Sequence, residues 1–321
     1  MLAYVVDDFG GPEVLTPTEV DPPTPGPGQV LVEVRVSGVN FLDTYQRTGA
    51  TPLAAPFRAG VEGAGVVTAV GEGVGDLAVG QRVGWFSGGQ GSFADLAVVD
   101  AGKAVPLPDE VDDETAVAVL MQGVTAHNLV IDAYPVQPGD RVLVHAAAGG
   151  VGQLLTRVAT LRGAAVIGTV STDAKASAAR AAGAEHVVAY DGFADAVRAL
   201  TDGEGVAVVY DGVGADTFAG SLAALRVRGT LVVYGTASGP TPPLDVARLN
   251  SGGSLYVTRP SVVHYTRTPE EIRRRTDELF GWVAAGELTP VVGGRYPLTA
   301  VREAFADLEA RRTTGKLLLV H

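Results

Sequence analysis

The stretch His145-Ala146-Ala147-Ala148-Gly149-Gly150-Val151-Gly152 puts three alanines and three glycines at the end of the apolar run Arg141-Val142-Leu143-Val144. Residues this small remove every side chain that would keep a bulky anion off the backbone. Set against the G-x-G-x-x-G pattern, the stretch reads Ala147 to Gly152, with alanine in place of the first glycine. In that pattern Gly149 lets the backbone approach a pyrophosphate and Gly152 lets a helix pack close to the preceding strand. The N–H groups of Gly150 and Val151 then point at phosphate oxygens from the helix N-terminus. A match of this kind carries weight only where a strand precedes it and a helix follows. Here Gln153-Leu154-Leu155-Thr156-Arg157-Val158-Ala159 continues in a helical pattern.

The second strand of such a unit decides between dinucleotides. An acidic side chain at its end would bind the ribose 2′-hydroxyl of NAD. The segment Gly168-Thr169-Val170-Ser171-Thr172 ends instead in Ser171, with Lys175 four residues on and Tyr190 at the end of the third strand. A hydroxyl, an ammonium and a phenol suit a 2′-phosphate, which Lys175 meets as a point charge. Asp173 opposes this, because a carboxylate repels phosphate, but the balance favours NADPH over NADH.

The elements that must hold this cradle are legible around it. Strand candidates fall at 141–146, 164–169, 186–189, 206–211, 229–234 and 254–258, with helical stretches between most of them. Short apolar runs alternating with helices imply a parallel sheet covered on both faces, and six strands suit a doubly wound Rossmann fold. The first 120 or so residues read differently. Val30, Val32, Val34 and Val36 alternate with Leu31, Glu33 and Arg35, which marks a strand with one buried face. Glycine-broken strands follow, as expected of a strongly bent β-domain. Thr268, Pro269 and Glu271 have the types and spacing of a helix start. The division expected is a bent β-domain from 1–123 and 290–321 and a Rossmann domain from 124–289.

Composition excludes several chemistries. The chain has 321 residues, no cysteine and a net charge of −12. Disulfides, thiol nucleophiles and cysteine-ligated metals are absent, and the lack of disulfides fits the cytoplasm. An acidic chain has no long-range attraction for nucleic acid or anionic membrane. The opening Met1-Leu2-Ala3-Tyr4-Val5-Val6-Asp7-Asp8 lacks a signal pattern, and no run of 18 apolar residues occurs, so no membrane partner is expected.

In order along the chain, 38–49 (GVNFLDTYQRTG), 60–65 (GVEGAG), the cradle, 208–214 (VVYDGVG), 254–261 (SLYVTRPS) and 313–319 (TTGKLLL) resemble the quinone oxidoreductases. These are zinc-free members of the medium-chain dehydrogenase/reductase superfamily, related to zeta-crystallin. The resemblance covers nearly the whole chain and implies a GroES-like fold for the bent β-domain. Where zinc-dependent relatives carry a ligating cysteine and histidine, this chain has Asn40 and Val61. Valine cannot ligate a metal and asparagine is a poor zinc ligand. Without a Lewis acid, alcohol oxidation gives way to reduction of a ready electron acceptor.

The resemblance further implies that Asn40, Asp43 and Tyr45 lie beside nicotinamide and substrate. Asn40 would donate an amide N–H to a quinone oxygen, Asp43 would accept a structural hydrogen bond, and Tyr45 would stack on the acceptor or donate a proton. It also assigns cofactor contacts to Thr125, Gly212, Tyr234, Gly235, Arg259 and Arg311. Many relatives carry a tyrosine where this chain has Thr51 in Gly49-Ala50-Thr51-Pro52. The missing phenol counts against an enoyl reductase. His145 and His127 are expected to be structural.

The expectation is therefore an NADPH:quinone oxidoreductase working by hydride or one-electron transfer, with a homodimer formed through the 254–260 edge strand. An NADPH-dependent alkenal or enoyl reductase is the nearer alternative. A non-enzymatic, crystallin-like or RNA-binding protein is the farther one.

Overall fold

The computed structural model describes residues 1–51 and 53–321; Pro52, at the end of the Gly49–Pro52 stretch, lies outside them. The chain forms two units, Met1–Met121 with Thr266–His321, and Gln122–Tyr265.

The first unit opens with β1 (Leu2–Val6) and β2 (Thr16–Glu19), then the long β3 (Gln29–Val39), α1 (Phe41–Arg47), β4 (Phe57–Arg58), β5 (Gly63–Val70), β6 (Arg82–Trp85), β7 (Leu96–Asp100) and β8 (Val105–Pro106). The valines at 30, 32, 34 and 36 all face inward, as their alternation requires. Val30, Val32 and Val34 build a core with Val67, Val83, Trp85 and Val99. β3 pairs antiparallel with both β5 and β7, and its register with β5 slips twice, after Leu31 and after Val34. Each slip adds a bend, which lets one strand serve several partners.

α2 (Asp113–Asn128) leads into the second unit, its first turn carrying Asp113 and Glu114 against the helix dipole. The stretch Asp113–Ala133 is long and apolar enough to cross a membrane, yet 72% of its most apolar window is buried inside the protein, so it serves as a core helix. Next come β9 (Arg141–Val144), α3 (Gly150–Leu161), β10 (Ala165–Val170), α4 (Asp173–Ala181), β11 (His186–Ala189), α5 (Phe193–Leu200), β12 (Val206–Asp211), α6 (Phe218–Ala224), β13 (Leu225–Val233), α7 (Ala247–Ser251) and β14 (Tyr256–Thr258). The six strands form one parallel sheet in the order β11-β10-β9-β12-β13-β14. This is the doubly wound order, whose direction reverses between β9 and β12, and ligands of such sheets bind at the carboxyl ends there.

The chain then returns to the first unit with α8 (Pro269–Ala284), β15 (Val292–Pro297), α9 (Val301–Glu309) and β16 (Lys316–Val320). Thr268 Oγ1 accepts the Glu271 N–H, while the Glu271 carboxylate takes the N–H of Arg267 rather than that of Thr268. α8 belongs to the first unit, so the boundary falls at Thr266 rather than at 290. Arg273 on α8 pairs with Asp76 at 2.8 Å, and Lys103 donates to the Thr266 carbonyl. These contacts hold α8 against the β-domain and were invisible to a reading of periodicity.

Candidate functional site

In the second unit the cradle is built as its residue types require. Gly149 caps α3, so Gly150 and Val151 start the helix with N–H groups that no preceding turn can satisfy. A Cβ on Gly152 would stand 2.2 Å from the Ala146 carbonyl oxygen, and one on Gly150 would stand 2.2 Å from the Gln122 amide. Only glycine permits the approach at 152, where the obstacle is backbone; at 150 the end of the Gln122 side chain would have to shift. Ala146 takes a left-handed φ of 50°, which turns the chain out of β9 into the cradle. The Tyr190 hydroxyl accepts the Ala146 N–H at 3.0 Å, so this phenol pins the turn. At the end of β10, the Lys175 ammonium lies 3.4 Å from Ser171 Oγ, and Ser171 is exposed.

Farther along the same sheet edge, Gly212, Tyr234 and Gly235 meet one another. A Cβ on Gly212 would strike the Tyr234 ring at 2.7 Å, and one on Gly235 would strike the Gly212 carbonyl at 2.7 Å. Thr125 is half-buried on α2, and Arg259 is exposed just past β14. Arg311 follows α9 in the first unit, with a φ of 56°.

In the first unit, backbone register assembles a charged cluster. Leu317 on β16 lies opposite Val39 on β3, which brings Lys316 across from Asn40. Ser37 lies opposite Gly63, which brings Glu62 across from Gly38. Lys316 Nζ donates to Glu62 Oε2 at 2.5 Å and to Asn40 Oδ1 at 2.7 Å. Glu62 Oε2 also accepts from Asn40 Nδ2 at 2.9 Å, and Oε1 accepts the Met121 N–H at 2.7 Å. Lys316 and Glu62 are 1% and 0% exposed, so this is a dry ion pair. Gly38 leaves room for it: a Cβ there would lie 2.2 Å from Glu62 Oε2.

This cluster corrects the role expected of Asn40. One amide hydrogen goes to Glu62 and the other to the Gly38 carbonyl at 3.2 Å, while Oδ1 accepts from Lys316. Neither N–H is free to meet a quinone oxygen. Asp43 acts as the expected acceptor, its Oδ2 taking the Asn40 backbone N–H at 2.9 Å at the start of α1. Burial pushes the Asp43 carboxyl up to about 7, and the Glu62 charge adds to this; the Asn40 N–H and the Lys316 ammonium oppose it. Tyr45 is half-buried two residues on, with its ring centroid 6.3 Å from that of Phe41.

The same cluster does not fit a divalent metal. Asn40 is fully engaged, Val61 is apolar, and Glu62 is already neutralised by an ammonium that would repel a second cation. Lys316 and Glu62 were missed as functional residues. Their only signal was a lysine opening the apolar run Lys316-Leu317-Leu318-Leu319-Val320 and a glutamate among the small residues of 60–65.

A doubly wound six-stranded sheet with a glycine cradle, in one chain with a bent, discontinuous β-unit, defines a dinucleotide-dependent dehydrogenase or reductase of the medium-chain type. Residues 26–109 match the alcohol dehydrogenase GroES-like domain, and residues 182–319 match a family described as zinc-binding dehydrogenase. A quinone oxidoreductase of Pseudomonas aeruginosa is 42% identical over 315 residues, 97% of each chain. A 2-haloacrylate reductase of a Burkholderia species is 41% identical over 329 residues, covering 100% of this chain and 99% of the relative. A mycobacterial protein solved in complex with NADPH superposes with a TM-score of 0.97 at 47% identity over the whole of both chains. The chain belongs to the quinone oxidoreductase family, the zinc-free branch of the medium-chain dehydrogenase/reductases.

Proposed function

We propose that the protein is an NADPH:quinone oxidoreductase. The observation that carries this reading is the cradle: Gly149 caps α3, Gly150 and Val151 open that helix with N–H groups that no preceding turn satisfies, and Ser171 and Lys175 stand together at the end of β10. The N–H groups of Gly150 and Val151 would hold the pyrophosphate, and the Lys175 ammonium with Ser171 Oγ would hold a 2′-phosphate. Tyr190 keeps the turn in shape. Thr125, Gly212, Tyr234, Gly235, Arg259 and Arg311 are proposed as further cofactor contacts. Bound NADPH supplies a hydride, or two single electrons, to the acceptor.

The protein's own contribution is orientation and exclusion of water rather than a strong acid. The Lys316–Glu62 pair holds Asn40, and Asn40 with Asp43 starts α1. That helix carries Tyr45, the proposed stacking surface or proton source for the acceptor. The likeness to a quinone oxidoreductase supports a quinone as acceptor. The likeness to a 2-haloacrylate reductase favours an activated alkene as the second reading.

A homodimer formed through β14 is part of the proposal. β14 ends the sheet order, and Tyr256 on it is 60% exposed. An unpaired edge of this kind invites pairing with a second copy. We also infer a cytoplasmic protein from its cysteine-free, acidic composition. Following NADPH absorbance with benzoquinone, phenanthrenequinone, crotonaldehyde and 2-chloroacrylate, each repeated with NADH, tests the function. Turnover with the quinones, strongest with NADPH, is expected. Turnover with the alkenes alone would move the protein to the second reading.

A further inference from the structure

Beneath the cradle lies a buried chain of polar groups that no cofactor contact accounts for. Thr169 is the next-to-last residue of β10, His145 follows β9 and Asp211 ends β12, so the chain crosses three adjacent strands at their carboxyl ends. His145 Nδ1 lies 2.9 Å from Thr169 Oγ1, and His145 Nε2 lies 3.0 Å from Ser221 Oγ. Ser221 Oγ donates to Asp211 Oδ2 at 2.8 Å. Asp211 also accepts the N–H groups of Val213 at 2.8 Å and Gly214 at 3.0 Å, and the Thr217 hydroxyl at 2.8 Å. Thr169, His145, Asp211, Thr217 and Ser221 are all buried.

Proton counting fixes the arrangement. Ser221 has one hydroxyl hydrogen, and Asp211 takes it. Ser221 Oγ can therefore only accept from the imidazole, so His145 carries its proton on Nε2. Nδ1 is then bare and accepts from Thr169 Oγ1. Burial holds this imidazole neutral, lowering it to about 4, against the pull of Asp211. Phe193 packs edge-on against the ring with centroids 4.7 Å apart, and the Tyr190 ring lies nearly parallel to it at 6.1 Å.

Two members of this chain, His145 and Asp211, each adjoin a segment assigned to the cofactor. Ala146, next to His145, is the left-handed turn into the cradle. Gly212, next to Asp211, opens the loop whose Val213 and Gly214 N–H groups the Asp211 carboxylate collects. We propose that His145 is a positioning residue for the cofactor: as a neutral Nε2–H tautomer it joins the phosphate cradle to the 212–217 loop through Ser221 and Asp211, so that both are set before the dinucleotide arrives. This rests on the reading that the cradle takes NADPH.

The test is NADPH binding to the full-length protein, followed by nucleotide fluorescence, for wild type, His145→Gln, His145→Asn, His145→Phe and Ser221→Ala. A glutamine amide nitrogen falls near Nε2 and keeps the bond to Ser221; an asparagine amide falls near Nδ1 and does not. His145→Gln is expected within about threefold of wild type, and the other three at least about tenfold weaker. The imidazole nitrogen spectrum, assigned by comparison with His145→Gln, reads the tautomer without any nucleotide and is expected to show Nε2–H at neutral pH. Equal affinity of His145→Phe and wild type, equal losses in the Gln and Asn variants, or an Nδ1–H tautomer would overturn the proposal. Failure of wild type itself to bind NADPH would instead overturn the cofactor reading on which it rests.

Discussion

Replacing Lys316 with methionine removes the cation from a dry cluster while nearly preserving its volume. Glu62 then keeps two donors, Asn40 Nδ2 and the Met121 N–H, but loses its counter-charge at 2.5 Å. Breaking one partner from a buried ion pair costs about 3–5 kcal/mol, because a charge is left behind in a medium that cannot solvate it. For urea unfolding with a slope of about 2 kcal/mol per molar, the midpoint should fall by roughly 2 M. The readout is selective, since both tryptophans, Trp85 and Trp282, belong to the first unit. Adding Glu62→Gln should recover most of the loss, because no charge remains and the freed Asn40 amide can turn over to accept from the new side-chain N–H. A Lys316→Met loss below about 1 kcal/mol would refute a dry, tightly paired cluster.

Lys175→Ala should raise the apparent Kd for NADPH by about tenfold to a hundredfold, the worth of a charged hydrogen bond, and leave that for NADH unchanged; steady-state titration with both nucleotides checks this. Gly152→Ala should abolish NADPH binding in a fluorescence titration, since its Cβ would stand 2.2 Å from the Ala146 carbonyl and α3 would have to move. Asp43 is raised from 3.8 to about 7, so its folded form binds a proton more tightly than its unfolded form, and its contribution to stability falls as pH rises between those values. Asp43→Asn should flatten that window in a urea series. His145 and His321 are both lowered by burial to about 4, so stability is whole above pH 6.5 and drains as pH falls toward 4. Replacing His145 by Gln should remove the second unit's share, read by circular dichroism.

The cofactor side of this protein was legible from residue order because its determinants are local. A Rossmann cradle needs small residues within one turn between a strand and the helix after it, and 145–152 supplies them in sequence. The strand Val206–Asp211 was readable to the residue because it is buried at every position inside a parallel sheet, and the edge strand His186–Ala189, exposed at both ends, was readable from its short apolar run between helices. Family resemblance added Asn40, Asp43 and Tyr45, which no spacing rule would have singled out.

Tertiary structure alone decided what holds those residues. Lys316 reaches Asn40 across 276 residues, through a strand register that only antiparallel pairing of β16 with β3 creates. That contact reversed the role expected of the Asn40 amide, because its hydrogens go to Glu62 and Gly38. His145 likewise looked like a packed histidine at a strand end. Its tautomer depends on Ser221, 76 residues away, and on a carboxylate that captures the serine's only proton. Local spacing determines which backbone can cradle a phosphate. Long-range register determines which polar atoms are already used, and a buried polar atom with a partner has no hydrogen bond left to give a substrate.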